Sequence, residues 1–224
     1  VLTQVKERPI LMSTEMVKAI QDGRKTQTRR VIKNIPPRED GTQYDRSEIH
    51  GPEFFTPVVI DKRGYEQPGH EIFGIYDDYG EWGFKCPYGQ PGDRLVLTSI
   101  WATEKEYDKL PPSRLPKTAR VWTLYTRTPK PDWCGRTRIP RFVPKFLYGH
   151  FPKADITGIR AEQVQDISLG DISKEGIGVR HSVDWVDLMY KDYQTLWDSI
   201  NAKRGYPWDN NDWVWVIEFK EIKL

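Results

Sequence analysis

Apolar and polar positions alternate over short stretches of this chain and take helical spacing over only a few. Residues 8–12 read as a short strand, with Pro9 placing it at a sheet edge or a strand start. Ser13 or Thr14 caps a helix whose apolar stripe is Met16, Val17, Ala19 and Ile20, and Asp22-Gly23 ends it. Residues 24–33 follow as a strand or strand-like loop. From residue 34 to about 91 the pattern weakens and turn markers multiply, among them Pro36-Pro37, Gly51-Pro52 and Pro68-Gly69. Within that region Phe54-Phe55 and Val58-Val59-Ile60 read as one strand and residues 71–76 as another. Residues 94–102, 121–127, 154–166 and 213–219 read as strands. Residues 171–176 form a short helix stopped by a glycine. Ser182 caps a longer helix reaching about Asn201, with Trp185, Leu188/Met189, Leu196 and Ile200 on its buried side. Strands outnumber helices, which indicates a β-rich α+β fold, a small barrel flanked by helices. Residues 1–224 read as one domain with a hairpin insertion at about 34–88.

Composition changes this picture in two places. At 224 residues, with nine Trp and eleven Tyr, the chain can bury a core without disulfides or a metal. No apolar run is long enough to span a bilayer and no basic-then-apolar leader opens the sequence, so a cytoplasmic setting is expected. Cys86 and Cys134 lack metal-type spacing, and His50, His70, His150 and His181 lie far apart, so neither a metal nor another cofactor is expected. The net charge of +2 is unremarkable, but its distribution is not. Residues 18–38 hold seven Lys/Arg against one acid, and residues 109–153 hold eleven against one. These segments carry +16 together and the remainder −14. Clustered cations are the footprint of a phosphate-backbone binder if the two segments meet in one patch. If they face different directions, they are ordinary solvated surface.

The chemistry concentrates in Gly23-Arg24-Lys25-Thr26-Gln27-Thr28-Arg29-Arg30. In extended conformation Thr28 and Arg30 share one face and Lys25 lies on the other, unless a turn near Thr26 brings it round. The stretch lacks the glycine before lysine that a phosphate-cradling P-loop requires. A second cationic loop, Trp133 to Phe142, mixes Arg136, Arg138 and Arg141 with aromatic rings. Such a mixture suits nucleic acid, with arginines on phosphate and Trp133 or Trp101 stacking a base. The alternative is a loop whose rings fill the core.

Gly23-Arg24-Lys25-Thr26-x-Thr28-x-Arg30, preceded by Met16 to Ile20, resembles the signature of the ASCH domain family. With Arg8 to Ser13 before it and residues 196–206 and 213–219 after it, the chain looks like ASCH proteins carried by bacteriophages and prophages. The resemblance implies a PUA-like β-barrel in a bacterial host cell. It is a distant relation to metal-independent amidohydrolases acting on N4-acetylcytidine, in which Lys25, Thr28 and Glu175 would be catalytic. Thr28 would be the nucleophile, Lys25 its base and Glu175 a proton relay to the leaving amine. Arg24, Arg29, Arg30, Trp101, Trp133, Arg136, Arg138 and Arg141 would bind RNA, DNA or a modified nucleoside. Phage-type relatives continue the strand after Gly92-Asp93 with an Arg-Glu pair, where this chain has Thr98-Ser99, a change that binding survives more easily than catalysis. A non-catalytic RNA- or DNA-binding module, an ASCH-type ribonuclease, and a phage structural or host-interaction protein are the other readings.

Overall fold

A computed structural model describes residues 5–38, 41–80, 82–126, 128–178 and 184–222. The fold is mixed α+β. Its elements run β1 (Glu7–Leu11), α1 (Thr14–Gln21), β2 (Gln27–Val31), β3 (Ile49–Phe55), β4 (Val58–Ile60), β5 (Glu66–Pro68), β6 (Ile72–Asp77) and β7 (Gly83–Lys85). They continue with β8 (Arg94–Thr98), β9 (Trp101–Ala102), β10 (Trp122–Thr123), β11 (Lys153–Gln163), α2 (Leu169–Lys174), α3 (Trp185–Asn201) and β12 (Trp213–Ile222).

Five strands form the main sheet in the order β1-β8-β11-β12-β2. Only β1 and β8 are parallel neighbours. The sheet is strongly curled. A register shift between Ile156 and Gly158 bends β11, as an extra residue in one strand does. The two edge strands consequently approach each other, and Arg30 Nη2 on β2 donates to the Leu11 carbonyl on β1 at 2.7 Å. The expected barrel is therefore not closed. Its seam is spanned by one arginine side chain and by α1, which is capped at Ser13.

Two cores follow from the alternation along β12. Trp213, Trp215, Ile217 and Phe219 point into the curl with Ile10, Leu95, Leu97 and Phe151. Val214 and Val216 point outward under α2 and α3, against Ile172, Met189, Tyr193 and Trp197. Burial of both faces explains why this strand reads as a nearly unbroken apolar run.

Several expected elements differ. Residues 54–60 form two strands, because Pro57 lacks the N–H a ladder needs; β3 then pairs with β6, and β4 with β5. Residues 94–102 break at Ser99-Ile100, where the chain leaves the main sheet and β9 pairs with β10. Of 121–127 only Trp122–Thr123 is a strand, and Arg127 lies outside the described residues, as do Ser182 and His181. The buried side of α3 is Met189, Tyr193 and Trp197, rotated from the aliphatic stripe. Two large rings bury more area than leucine and isoleucine would, so they take the core-facing positions. Urea denaturation of two variants checks this register: Met189→Ala is expected to cost about 2–5 kcal/mol, and Trp185→Ala about 0.5 or less.

Candidate functional site

The β2 strand separates the chemistry of its segment onto two faces. Direct antiparallel partners share a face, so Thr28 opposite Ile217 and Arg30 opposite Trp215 turn toward the inner core. Gln27 and Arg29, opposite Glu218 and Val216, turn outward toward α2. Lys25 joins this outer side. The chain reaches β2 through backbone bonds from Lys25 N–H to the Ala19 carbonyl and from Thr26 N–H to the Lys174 carbonyl. Helix α2 ends at Glu175, and Gly176 continues the chain at φ +94°. A Cβ there would stand 3.3 Å from Lys25 Cβ, so the glycine permits the close approach.

A buried network of charges results. Lys25 Nζ donates to Glu175 Oε2 at 2.6 Å and to the Glu175 carbonyl at 2.9 Å. Arg29 reaches Glu162 at 2.5 Å and both Asp171 and Glu175 at 3.3 Å. Arg160 bonds Glu162, Asp171 and Glu218 at 2.9, 2.6 and 2.8 Å. Lys174 adds a contact to Asp171 at 3.4 Å. The Gln27 amide, assigned by its hydrogen bonds, donates to Asp171 Oδ1 at 3.1 Å and accepts from Arg29 Nη1 at 2.6 Å. Four cations thus meet four carboxylates, and the site is close to neutral. Burial pushes the Lys25 pKa below its usual 10.5, and the Glu175 carboxylate only partly offsets this. Burial also raises the Tyr193 phenol well above its usual value, with the Glu175 charge adding to the effect.

Lys25 and Glu175 are therefore brought together, while Thr28 lies on the other face of β2. No hydrogen bond joins Thr28 to either among the described residues. Only 1 % of Lys25 is exposed, and it does not line the cleft described below.

The remaining candidates divide by burial. Trp101 is fully buried, its indole N–H donating to the Ile139 carbonyl at 3.2 Å. Arg138 is buried beside it, with its guanidinium 5.5 Å from the Trp101 ring centre. It donates to the Leu110 and Tyr107 carbonyls at 2.9 and 2.6 Å. Neither offers a free face to a base or a phosphate; both clamp the 133–142 loop onto β9. Trp133 is half-buried and carries the Arg120 guanidinium 4.3 Å above its ring. Arg136 is exposed, and Arg24 is exposed and pairs with Asp22 at 3.0 Å.

The Trp101–Arg138 clamp holds Arg141 at a cleft of about 770 Å³. Arg30 and Lys33 come to its wall from β2 and the residues after it, and Arg204 from the turn after α3. Ser13, Thr14, Thr98 and Tyr206 add hydroxyl groups. No Asp or Glu lines this cleft, and no carboxylate pairs with its four cations among the described residues. Arg30, Lys33 and Arg141 were legible as cations in the basic segments. Arg204 lies outside both segments and sits in what reads simply as a turn. No group of three or more His, Cys, Asp or Glu is placed to hold a metal among the described residues, and no helix there is long and apolar enough to cross a membrane.

Removing one member of a buried ion pair strands the other charge and typically costs 3–5 kcal/mol, whereas an apolar pair of similar volume is often tolerated. Glu175→Ala is accordingly expected to lose about 3–5 kcal/mol in urea denaturation. The double variant Lys25→Met/Glu175→Leu should lose less than the two single changes added together. A pH series tests the carboxylate side. Burial alone would raise the Asp171 pKa, but Arg160, Arg29 and Lys174 outweigh it and hold the pKa below the usual 3.8. A depressed carboxylate pKa stabilises the fold fully above the unfolded value and loses that contribution as pH falls through the folded value. The stability gap between wild type and Asp171→Asn should therefore be constant above about pH 5 and narrow on acidification below pH 3.8.

Comparison with known proteins adds no further constraint: no protein-family model, curated protein or solved structure matches this chain.

Proposed function

We propose that this protein binds a phosphate-bearing nucleic-acid strand or nucleotide in the cleft between the β2 edge and the 133–142 loop. The observation that carries this reading is a wall with Arg30, Lys33, Arg141 and Arg204 and, among the described residues, no acid. Several other cations of the two basic segments are neutralised within the fold: Lys25 and Arg29 by the buried carboxylates, Arg38 by Glu48, Arg120 by Glu104, Lys153 by Glu7. Those at the cleft keep their positive field, and a concave wall of one sign concentrates it. The first turn of α1 borders the same cleft through Ser13, Thr14 and Met16, adding the positive end of a helix dipole. A curled five-stranded sheet with a helix at its seam agrees with an ASCH-type, PUA-like ancestry, and that resemblance points to nucleic acid as the ligand.

Amide hydrolysis of a modified cytosine is the second reading. In its favour, Lys25 has a depressed pKa and touches Glu175, as a general base would need. Against it, Thr28 faces away from that pair and the ammonium is enclosed.

The test is binding of a fluorescently labelled single-stranded oligonucleotide across a salt series. Affinity is expected to fall steeply with salt, with a log–log slope reduced by about 1 in each of Arg141→Ala and Arg204→Ala. Absence of binding at low salt, or a flat salt response, removes the proposal. N4-acetylcytidine incubated with the protein is expected to survive; hydrolysis that disappears in Lys25→Ala would establish the second reading instead.

A further inference from the structure

The turn that brings Arg141 to the cleft also holds two apolar side chains in the open. Ile139 is 67 % exposed and Phe142 60 %. They stand one tight turn apart, the Phe142 N–H donating to the Ile139 carbonyl at 3.4 Å. Their exposure does not come from a loose loop. Arg138 is buried just before the turn and Val143 just after it. The Ile139 carbonyl also accepts from the buried Trp101 indole at 3.2 Å. Between the two apolar residues, Pro140 and Arg141 line the cleft. Apolar surface continues along the cleft wall through Leu11 and Ile100, 44 % and 39 % exposed. Residues 133–153 contain no acid. A single exposed apolar residue is ordinary. A fixed ring next to a cation at the mouth of a basic cleft is a different arrangement, a charged groove that ends in a stacking surface.

We propose that the 139–142 turn is a base-stacking platform and that the ligand of the cleft is a single-stranded nucleic acid. Backbone phosphates lie among the cleft cations, and an unpaired base at the mouth stacks on the Phe142 ring. Every base has a flat face, so this contact is indifferent to sequence. A duplex keeps its bases stacked on one another and offers none to the ring. An apolar tip among cations also suits an anionic lipid surface. A flat bilayer, however, meets only what protrudes and leaves the cations of a concave wall unreached, whereas a strand can enter the cleft. The inference rests on the cleft being a phosphate site, and it adds which form of nucleic acid is admitted.

Fluorescence anisotropy with labelled RNA and DNA oligomers of about 12 nucleotides, single-stranded and as duplexes, separates the two claims. Wild-type protein is expected to prefer the single strand. Phe142→Ala should weaken single-strand binding about tenfold, leave the salt slope unchanged and leave duplex binding unchanged. Phe142→Trp should restore the affinity. An oligomer of abasic deoxyribose phosphates should bind wild type and Phe142→Ala alike. A Phe142→Ala protein that binds both single strands as wild type does, with a steep salt response, overturns the platform and leaves the phosphate cleft standing. No binding of any oligomer at low salt overturns both. Sedimentation with phosphatidylglycerol vesicles tests the lipid alternative: vesicle binding lost in Phe142→Ala while oligomer binding persists unchanged overturns the proposal. The preference for single strand over duplex is read on wild-type protein, and equal affinity for the two also overturns it.

Discussion

The pairing of Lys25 and Arg29 with Glu175, Glu162 and Asp171 is the constraint from which the rest of the molecule takes its shape. These residues lie about 130 to 150 positions apart in sequence, yet they tie the edge strand β2 to helix α2. Charges so well buried are tolerated only when each finds a partner of opposite sign and most donors are used. That requirement fixes how β2 lies on β12, since a slip of one residue would turn Arg29 inward and Thr28 outward. It also fixes where α2 ends, because the Lys25 ammonium needs both the Glu175 carboxylate and the carbonyl at the close of that helix. An apolar contact would hold the same elements together without choosing one register among several.

Placing Arg29 outward places Arg30 inward and along the seam of the open sheet. There it bonds the far edge at Leu11 and borders the cleft. Structural and cleft-facing cations thus come from adjacent residues of one strand, separated by the period-two alternation of the backbone. The same division appears in the late loop. Arg138 is spent on carbonyls and on the face of Trp101, and three residues later Arg141 remains at the cleft wall.

Tyr206 borders both the basic cleft and a second, smaller pocket lined by Tyr44 and Trp213. The turn that carries it, closed by Gly205 in the left-handed conformation, also carries Arg204, so one short connection after α3 contributes to both.

Local patterns were enough for much of the fold. The apolar stripe and serine cap of α1, the edge position of Pro9 in β1, the glycine that ends α2 and the aromatic alternation of β12 are all properties of a few adjacent residues. Charge clustering likewise pointed to Arg30 and Arg141. Pattern failed where the deciding partner was distant. The break between β8 and β9 depends on which strands pair with each. The face of α3 depends on which side chains best fill the space above Val214 and Val216. Trp101 and Arg138 look like ligand contacts until the carbonyls of residues 107, 110 and 139 are seen to occupy them. Lys25, Thr28 and Glu175 could be recognised as a set in the sequence, but only the packing of α2 against the outer face of β2 joins the first to the third and parts both from the second. Sequence determines which groups can ionise and which can be buried; the folded chain determines which of those charges neutralise one another and which are left facing a cavity.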